Sequence, residues 1–355
     1  MFCSSGGYAD RVRARRSRLA TALCHVRGVD EPRTEIVTHM THGHWNTKIP
    51  DLDLRIALRE VVSQYVGLVE RYRTALYPTM HPERYSRAHQ ERSSFDDALA
   101  DEWSSQPLSL AYGTAEMHLG SAQDHLGAVA VALGSNLEDS IMTLARGTVE
   151  GCARAAWLLE TNIDGRARIA RCMTERLDAL REQAGRIERL QMQGGSDTLE
   201  RIVAIERSAI RQGVGVIRDK KGNAVAVGAD RFPRATQAVE LLYDRFGSNY
   251  GRGVYADLSA VAHGTLAAFA YKKLPLLDPT EAPIQAAPPE DRVPFERGVV
   301  MALTAYDEAV RRYFTLFGWA LGPWDDFLTR AHARLRELLG VEPSRLDIVR
   351  IRRDD

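Results

Sequence analysis

The chain has 355 residues, of which 45% are hydrophobic and 26% are charged, and its formal net charge is zero. This length suits one large domain or two ordinary ones, and the composition is typical of a globular protein. A zero net charge excludes a global field that would recruit nucleic acid or an anionic membrane. None of the four cysteines belongs to a C-x-x-C pair, so neither a zinc ribbon nor a thioredoxin-type site is indicated.

The first 50 residues form an irregular segment with a basic arm, ADRVRARRSR. We interpret the arm as a solvated leader, with contact to RNA or DNA as the alternative. It lacks the apolar core of a secretory signal, and no apolar run is as long as a membrane span, so we expect a cytoplasmic protein. The three histidines of HMTHGHW resemble metal ligands, but no nearby carboxylate or cysteine completes a set, so we assign no metal site. They are His39, His42 and His44.

From Asp51 the spacing of apolar residues is helical. It predicts a helix that starts at Asp51 and ends before Pro78, and at most one short helix between 79 and 105. Two further helices, 108–133 and 137–160, are rich in small residues. Small residues let helix backbones approach closely, so we expect these two helices to form the tight centre of a bundle.

Residues 165–212 predict two charged helices with a break at Gly194-Gly195 and a second start near Ser196. Because acidic and basic residues alternate along them, we interpret this segment as a solvated face. The two short apolar runs 214–217 and 224–227 flank a turn sequence and predict a small β-hairpin.

Helical spacing returns before a proline-rich stretch at 275–294 and again in two C-terminal helices, about 295–318 and 323–339. The predicted fold is therefore all-α: a multi-helix bundle with one small β-hairpin (about 213–228) and a C-terminal helical pair. The expected divisions are an irregular basic N-terminal arm (1–50), a helical bundle core (51–274), a Pro-rich linker (275–294) and a C-terminal helical segment (295–355).

Polar residues recur within two of the apolar helices. Tyr255, Ser259 and His263 are spaced at i, i+4 and i+8, so a helix places them on one face. Arg146 and Glu150 are four apart in a stretch of small and apolar residues, and an inward Arg146 must be paired or face a pocket. The structural interpretation is an ordinary hydrogen-bonded histidine and a surface ion-pair ladder. The functional interpretation is that these five residues line one polar pocket, in which Ser259 can supply a hydrogen bond to His263.

A third polar element consists of His118 and His125, which are seven apart and share a helix face. With Glu150, Tyr255 and Ser259, we treat these two histidines as candidate ligand-binding residues. A metal-dependent enzyme that uses His118, His125 and His263 is one alternative. The sequence contains no phosphate-binding loop, no nucleophile elbow and no Glu-x-x-His, so it indicates no particular cofactor.

Three segments resemble an uncharacterised group of actinobacterial helical proteins over about residues 140–270. They are LARGTVEGCARAAWLLE, FPRATQAVELLYD and YADLSAVAHGTLAAF. The end of the third segment, LS-x-x-x-HG, also resembles HEPN-like helical domains of abortive-infection and toxin proteins. That resemblance implies a ribonuclease in which His263 exchanges protons with the attacking 2′-hydroxyl and Arg146 stabilises phosphate charge.

The sequence departs from the HEPN pattern, in which Arg precedes His by four to six intervening residues. At those spacings before His263 stand Ala256, Asp257 and Leu258, and none is Arg. We therefore expect a non-catalytic or regulatory helical protein that binds a partner or small ligand, with a homodimer as a candidate state. The alternatives are a HEPN-like ribonuclease or phage-defence effector, with His263 and Arg146 as catalytic residues and RNA as substrate, and the metal-dependent enzyme.

Overall fold

The computed structural model describes residues 51–76, 81–100, 103–135, 137–244, 250–263 and 295–338. The described part is all-α apart from one two-stranded antiparallel hairpin, as predicted. The helices are α1 (Asp51–Leu76), α2 (Arg87–Phe95), α3 (Pro107–Leu133), α4 (Glu138–Leu158), α5 (Gly165–Leu190), α6 (Gly195–Arg211), α7 (Ala235–Leu242), α8 (Tyr250–Ala262), α9 (Phe295–Phe317) and α10 (Gly322–Leu338). The strands are β1 (Val216–Arg218) and β2 (Ala224–Val227).

Helices α1 to α9 with the hairpin belong to one compact unit, which spans residues 46–319. Of the second unit the structure describes 320–338, which contain α10. This helix carries Asp325 in its first turn. The basic arm 1–50, the proline-rich stretch 275–294 and residues 264–274 of the predicted helix lie outside the described residues.

Helices α3 and α4 form the centre of the bundle and run antiparallel. Their backbones approach closely at Gly151, where a Cβ atom would lie 3.0 Å from the carbonyl oxygen of His118 and 3.1 Å from the Ala122 side chain. Glycine is therefore needed at this crossing, and the prediction that the two small-residue helices form the tight centre is confirmed. Helix α4 also packs against α7, α8 and α9, so it is the hub of the unit.

Helix α5 packs against α3, α6 and strand β2. The hairpin prediction is confirmed: Val216 pairs with Val227 and Ile217 with Ala226. The Thr174 hydroxyl joins the hairpin to α5, because it accepts a hydrogen bond from the Val227 N–H (2.9 Å) and donates one to Val227 O (3.1 Å). Helix α6 begins one residue before Ser196, after Gly194 in the left-handed conformation (φ 98°).

The interpretation of 165–212 as a solvated face is wrong for the first turns of α5. Arg168 is fully buried, and Arg171 and Glu175 are nearly so. Arg168 donates to the carboxylate of Glu91 on α2 (Nε to Oε2, 3.1 Å) and to main-chain carbonyls of the α4–α5 turn. These carbonyls belong to Leu158, Glu160 and Ile163.

The same Glu91 carboxylate also accepts hydrogen bonds from the Tyr112 hydroxyl and from Arg87 Nε (2.8 Å). Arg87 donates in addition to the carbonyls of Thr161 and Ile163. Carbonyl groups at the end of a helix have no partner within the helix and need external donors. Two arginines supply them here, and Glu91 neutralises the buried charge. The need of these carbonyls for donors explains why α5, although charged, has charged side chains on its buried side.

No helix within the described ranges is long and apolar enough to cross a membrane.

Candidate functional site

Arg146 is the centre of a polar cluster between α4 and α8. Its Nε donates to Glu150 Oε1 (2.8 Å) and its Nη2 donates to the Tyr255 hydroxyl (3.0 Å). Its Nη1 lies 3.0 Å from Nε2 of His263. The structure thus brings together four of the five residues that the sequence placed in one pocket. We call Arg146, Glu150, Tyr255 and His263 the Arg146 cluster.

The first three members close a ring of hydrogen bonds, because the Tyr255 hydroxyl also donates to Glu150 Oε1 (3.1 Å). The guanidinium carbon of Arg146 lies 5.3 Å from the centre of the Tyr255 ring, which adds a cation–π contact. Partial burial by itself would lower the pKa of Arg146, but the hydrogen bond and charge of Glu150, with Tyr255, raise the pKa above its ordinary value. The guanidinium is therefore permanently charged and fixed in orientation.

His263 is the first residue after α8 and is exposed. A guanidinium has only donor N–H groups, so the His263 Nε2 atom that it contacts must be the acceptor. The ring proton is then on Nδ1, and the imidazole is neutral in this contact. The Nδ1–H group is left as a donor on an exposed residue.

The helix faces explain why these residues meet. Arg146 and Glu150 are one turn apart on α4, while Tyr255 and His263 are two turns apart on α8. Leu258, which is fully buried, lies on the packed side of α8, and Gly298 of α9 leaves room for both Leu258 and Met142. Apolar packing therefore holds α8 against α4, and the polar side chains meet at the edge of that contact.

Ser259 does not pair with the His263 side chain, which corrects one prediction. Its main-chain carbonyl accepts the His263 N–H (2.9 Å), which is the ordinary helical bond. Its hydroxyl is buried and has no hydrogen-bond partner within the described part of the chain. The side-chain partner of His263 is Arg146, which a single-helix pattern cannot reveal because Arg146 is on another helix.

The histidines of α3 have other surroundings. The His118 ring contacts the Glu175 carboxylate of α5 through Nε2. The His125 ring packs against Gly147, where a Cβ atom would lie 2.8 Å from the ring. Among the described residues, no hydrogen bond or ion pair joins these imidazoles to the Arg146 cluster. Their assignment as ligand-binding residues stays a prediction.

A cavity of about 460 Å³ lies elsewhere, between the start of α5 and the ends of the hairpin. Arg171 forms part of its wall and is bound through Nε to Asp230 (2.7 Å) and through Nη1 to Glu160 (2.8 Å). Both contacts join α5 to neighbouring segments, so we assign this arginine a structural role. No sequence pattern indicated the cavity, because its walls come from segments that are distant in the chain.

The described residues contain no group of three or more His, Cys, Asp or Glu side chains that could hold a metal ion. Cys152 and Cys172 are buried free thiols. Burial raises the pKa of Cys172 to about 12 and raises that of Cys152 as well. Both thiols are thus protonated at neutral pH and lack the thiolate character of a nucleophile. His39, His42 and His44 lie outside the described residues.

Comparison with models of protein families, with curated proteins and with solved structures finds no match for this chain. The resemblances to actinobacterial helical proteins and to HEPN-like domains therefore stay predictions.

Proposed function

We propose that the protein is a non-catalytic, regulatory binding module, and that the Arg146 cluster receives an anionic group of a small ligand or partner. The observation that carries this proposal is the contact of the charged Arg146 guanidinium with the exposed His263 at the edge of the α4–α8 packing. Phosphate and carboxylate are the groups with the matching chemistry, because both accept hydrogen bonds from a guanidinium fork.

The donors available to a ligand can be counted. Arg146 has five N–H groups, and three of them are directed to Glu150, Tyr255 and His263. Two N–H groups of Arg146 and the Nδ1–H of His263 have no partner in the described part of the chain.

The same geometry argues against acid–base chemistry in the absence of ligand. A general base needs a lone pair within reach of the proton it removes. The Nε2 lone pair of His263 faces Arg146, so this imidazole is not placed as a base. The remaining N–H donors of Arg146 and His263 therefore support binding of an anion.

The test is a calorimetric titration with inorganic phosphate and, separately, with acetate, preceded by native and denatured mass spectra that identify any retained ligand. We expect binding of at least one anion to the wild type and at least a tenfold loss of affinity in Arg146→Lys, which cannot present the planar fork. The matched control is Arg311→Lys. Arg311 also pairs with a carboxylate one helical turn away, and its side chain is 18% exposed against 19% for Arg146. Absence of binding, or equal affinity of Arg146→Lys and wild type, would overturn the proposal.

A HEPN-like ribonuclease is the second candidate, favoured by the direct contact between Arg146 and His263. If a scissile phosphate drew the guanidinium away, Nε2 of His263 would be released to accept the 2′-hydroxyl proton, and Arg146 would stabilise the charged phosphorane. We would compare growth on expression of wild type, His263→Ala and the control His89→Ala, an exposed helical histidine on α2. Toxicity relieved only by His263→Ala, with cleavage of RNA in vitro, would replace the binding proposal. Equal growth and no cleavage would remove the nuclease.

The metal-dependent alternative needs His118, His125 and His263 in one coordination sphere. His118 contacts Glu175 and His125 packs on Gly147, so no observation on the described residues favours this alternative.

The proposal includes two properties expected from the sequence, a cytoplasmic location and a homodimeric state. The small-residue faces of α3 and α4 pack against one another within the chain. A dimer therefore needs another surface.

A further inference from the structure

Helix α6 has an apolar face on its solvent side. Its inner side buries Thr198, Ile205, Ser208 and Ala209. On the outer side Leu199, Val203 and Ile210 are 57%, 42% and 62% exposed. We call these three residues the α6 stripe.

The three side chains of the α6 stripe lie on one face of the helix, with Glu206, which is paired with Arg218, between Val203 and Ile210. They are separated by four and by seven residues, so at 100° per residue they fall within a sector of about 40°. The row is about 16 Å long, at 1.5 Å per residue over its eleven steps. Leu190 at the end of α5 and Met192 in the turn before α6 are also exposed. An apolar row of this kind on a helix is typical of a helix-to-helix contact.

The charged residues beside the row are arranged so that a second copy of the helix can pair with them. Glu200 and Arg207 are seven residues apart, so they flank the row on the same side, and both are exposed. Asp197 is in the first turn of α6 and Arg211 is in the last. The helix is thus acidic near its beginning and basic near its end.

We propose that α6 is the interface of a homodimer, in which two copies pair antiparallel about a two-fold axis between residues 203 and 204. In an antiparallel two-fold pair, the same flank of both helices lies on the same side of the contact, and positions equidistant from the axis face one another. Glu200 then faces Arg207 of the partner subunit, and Arg207 faces the partner's Glu200. The two apolar rows cover each other between these ion pairs.

A parallel pair would instead place each acidic turn beside the acidic turn of its partner, which is repulsive. In an antiparallel pair the two helix dipoles are opposed, which also favours this arrangement over the parallel one. This inference rests on the homodimeric state proposed above and adds the surface and the mode of pairing. It is independent of the anion proposed for the Arg146 cluster, since α6 contributes no residue to that cluster.

The test is the solution mass, measured by light scattering after size-exclusion chromatography and by sedimentation over a range of concentrations. We expect twice the chain mass of 39.6 kDa for the wild type. Val203→Glu places a charge in the row and should give a monomer. The matched control is Leu241→Glu on α7, an exposed leucine outside the row, which should leave the dimer intact. A cooperative thermal unfolding transition of the monomer would show that Val203→Glu folds, even if its melting temperature is lower because the dimer contact is lost.

Charge exchange tests the antiparallel mode. Glu200→Arg alone and Arg207→Glu alone should each weaken dimerisation at least tenfold, because each places like charges face to face twice. The double variant should restore the homodimer, and mixing the two single variants should give a heterodimer.

A monomeric wild type would overturn both this inference and the homodimeric state. A dimer unaffected by Val203→Glu, or one that the double variant does not restore, would overturn the α6 interface alone. Phosphate titration of the monomeric Val203→Glu variant separates these outcomes from the anion proposal, because binding should persist there.

Discussion

The Arg146 guanidinium and the His263 imidazole, 117 positions apart in the chain, meet with Nη1 3.0 Å from Nε2. This contact joins α4 to the end of α8 and fixes the protonation of the histidine, since only a neutral ring with its proton on Nδ1 can accept from the guanidinium. Tyr255 and Glu150 hold the guanidinium from the other side.

The tautomer of His263 is directly measurable. We expect ¹⁵N NMR of the imidazole at neutral pH to show a protonated Nδ1 and an unprotonated Nε2. Arg146→Ala should shift the ring toward the Nε2–H form, while Arg311→Ala should leave it unchanged. A predominant Nε2–H form in the wild type would contradict the contact.

Removal of Arg168 should be among the most destabilising single changes. Arg168→Met leaves the Glu91 carboxylate buried with one charged partner fewer and deprives three turn carbonyls of a donor. Breaking a buried pair in this way costs about 3–5 kcal/mol. Urea denaturation measures the loss in the free energy of unfolding. Arg252→Met, which removes an arginine that is 66% exposed and paired with the partly exposed Glu240, should cost about 1 kcal/mol or less; equal losses for the two variants would count against the network.

Two glycines at the start of α8 should respond in opposite directions to the same substitution. A Cβ atom at Gly251 would lie 2.6 Å from Val239 O and 2.7 Å from the Cα of Glu240, whereas one at Gly253 would meet nothing within 4 Å. Gly251→Ala should therefore destabilise by about 1–3 kcal/mol through overpacking against backbone atoms. Gly253→Ala should stabilise by about 0.4–1 kcal/mol, since alanine restricts the unfolded chain. Thermal and urea unfolding distinguish the two, and a stabilising Gly251→Ala would show that α7 and α8 are not in close contact.

Asp178 and Asp219 should make opposite contributions to the pH dependence of stability. Burial, followed by the nearby Glu182 carboxylate, raises the pKa of Asp178. The folded chain therefore holds this proton more tightly than the unfolded chain, and the associated stability is lost as pH rises through the folded pKa. Asp178→Asn should be at least as stable as wild type at pH 7, with the difference vanishing toward pH 3.

At Asp219, hydrogen bonds from Asn223 and from the Lys221 main chain lower the pKa. Its contribution is present above the unfolded pKa and is lost as pH falls through the folded pKa. Asp219→Asn should therefore be less stable than wild type at pH 7 and equal to it at low pH. Melting temperatures of the three proteins between pH 3 and pH 7 test both signs, and parallel curves would contradict them.

The sequence predicts the helices and the hairpin well because these depend on local spacing and turn residues. The apolar period marks α1, α3 and α4 to within one or two residues, and the turn between 218 and 224 marks the hairpin. Local spacing also predicts that Arg146 and Glu150 share one helix face and that Tyr255 and His263 share another. The contact between these two faces depends on tertiary packing, which the periodicity of a single helix cannot predict.

The buried Arg168 network could not be predicted, because its physical cause is not local. A charged helix with alternating signs favours a solvated face unless carbonyls elsewhere need donors. Those carbonyls are in the α4–α5 turn, and the balancing Glu91 is on α2, 77 positions away. Ser259 shows the converse error. It is a plausible partner for His263 within the same helix, but Arg146 from another helix contacts His263 instead.

The Arg168–Glu91 network has a consequence for the order of folding. The α4–α5 turn takes its donors from Arg168 of α5 and from Arg87 of α2, and Glu91 of α2 balances their charge, so the network is complete only after α2 has docked. Contacts between residues more than 70 positions apart therefore complete the six-residue turn 159–164, which favours its late formation. Unfolding of α2 should expose the turn and the first turns of α5 together, so amide exchange in these three segments should follow one cooperative opening rather than several local ones.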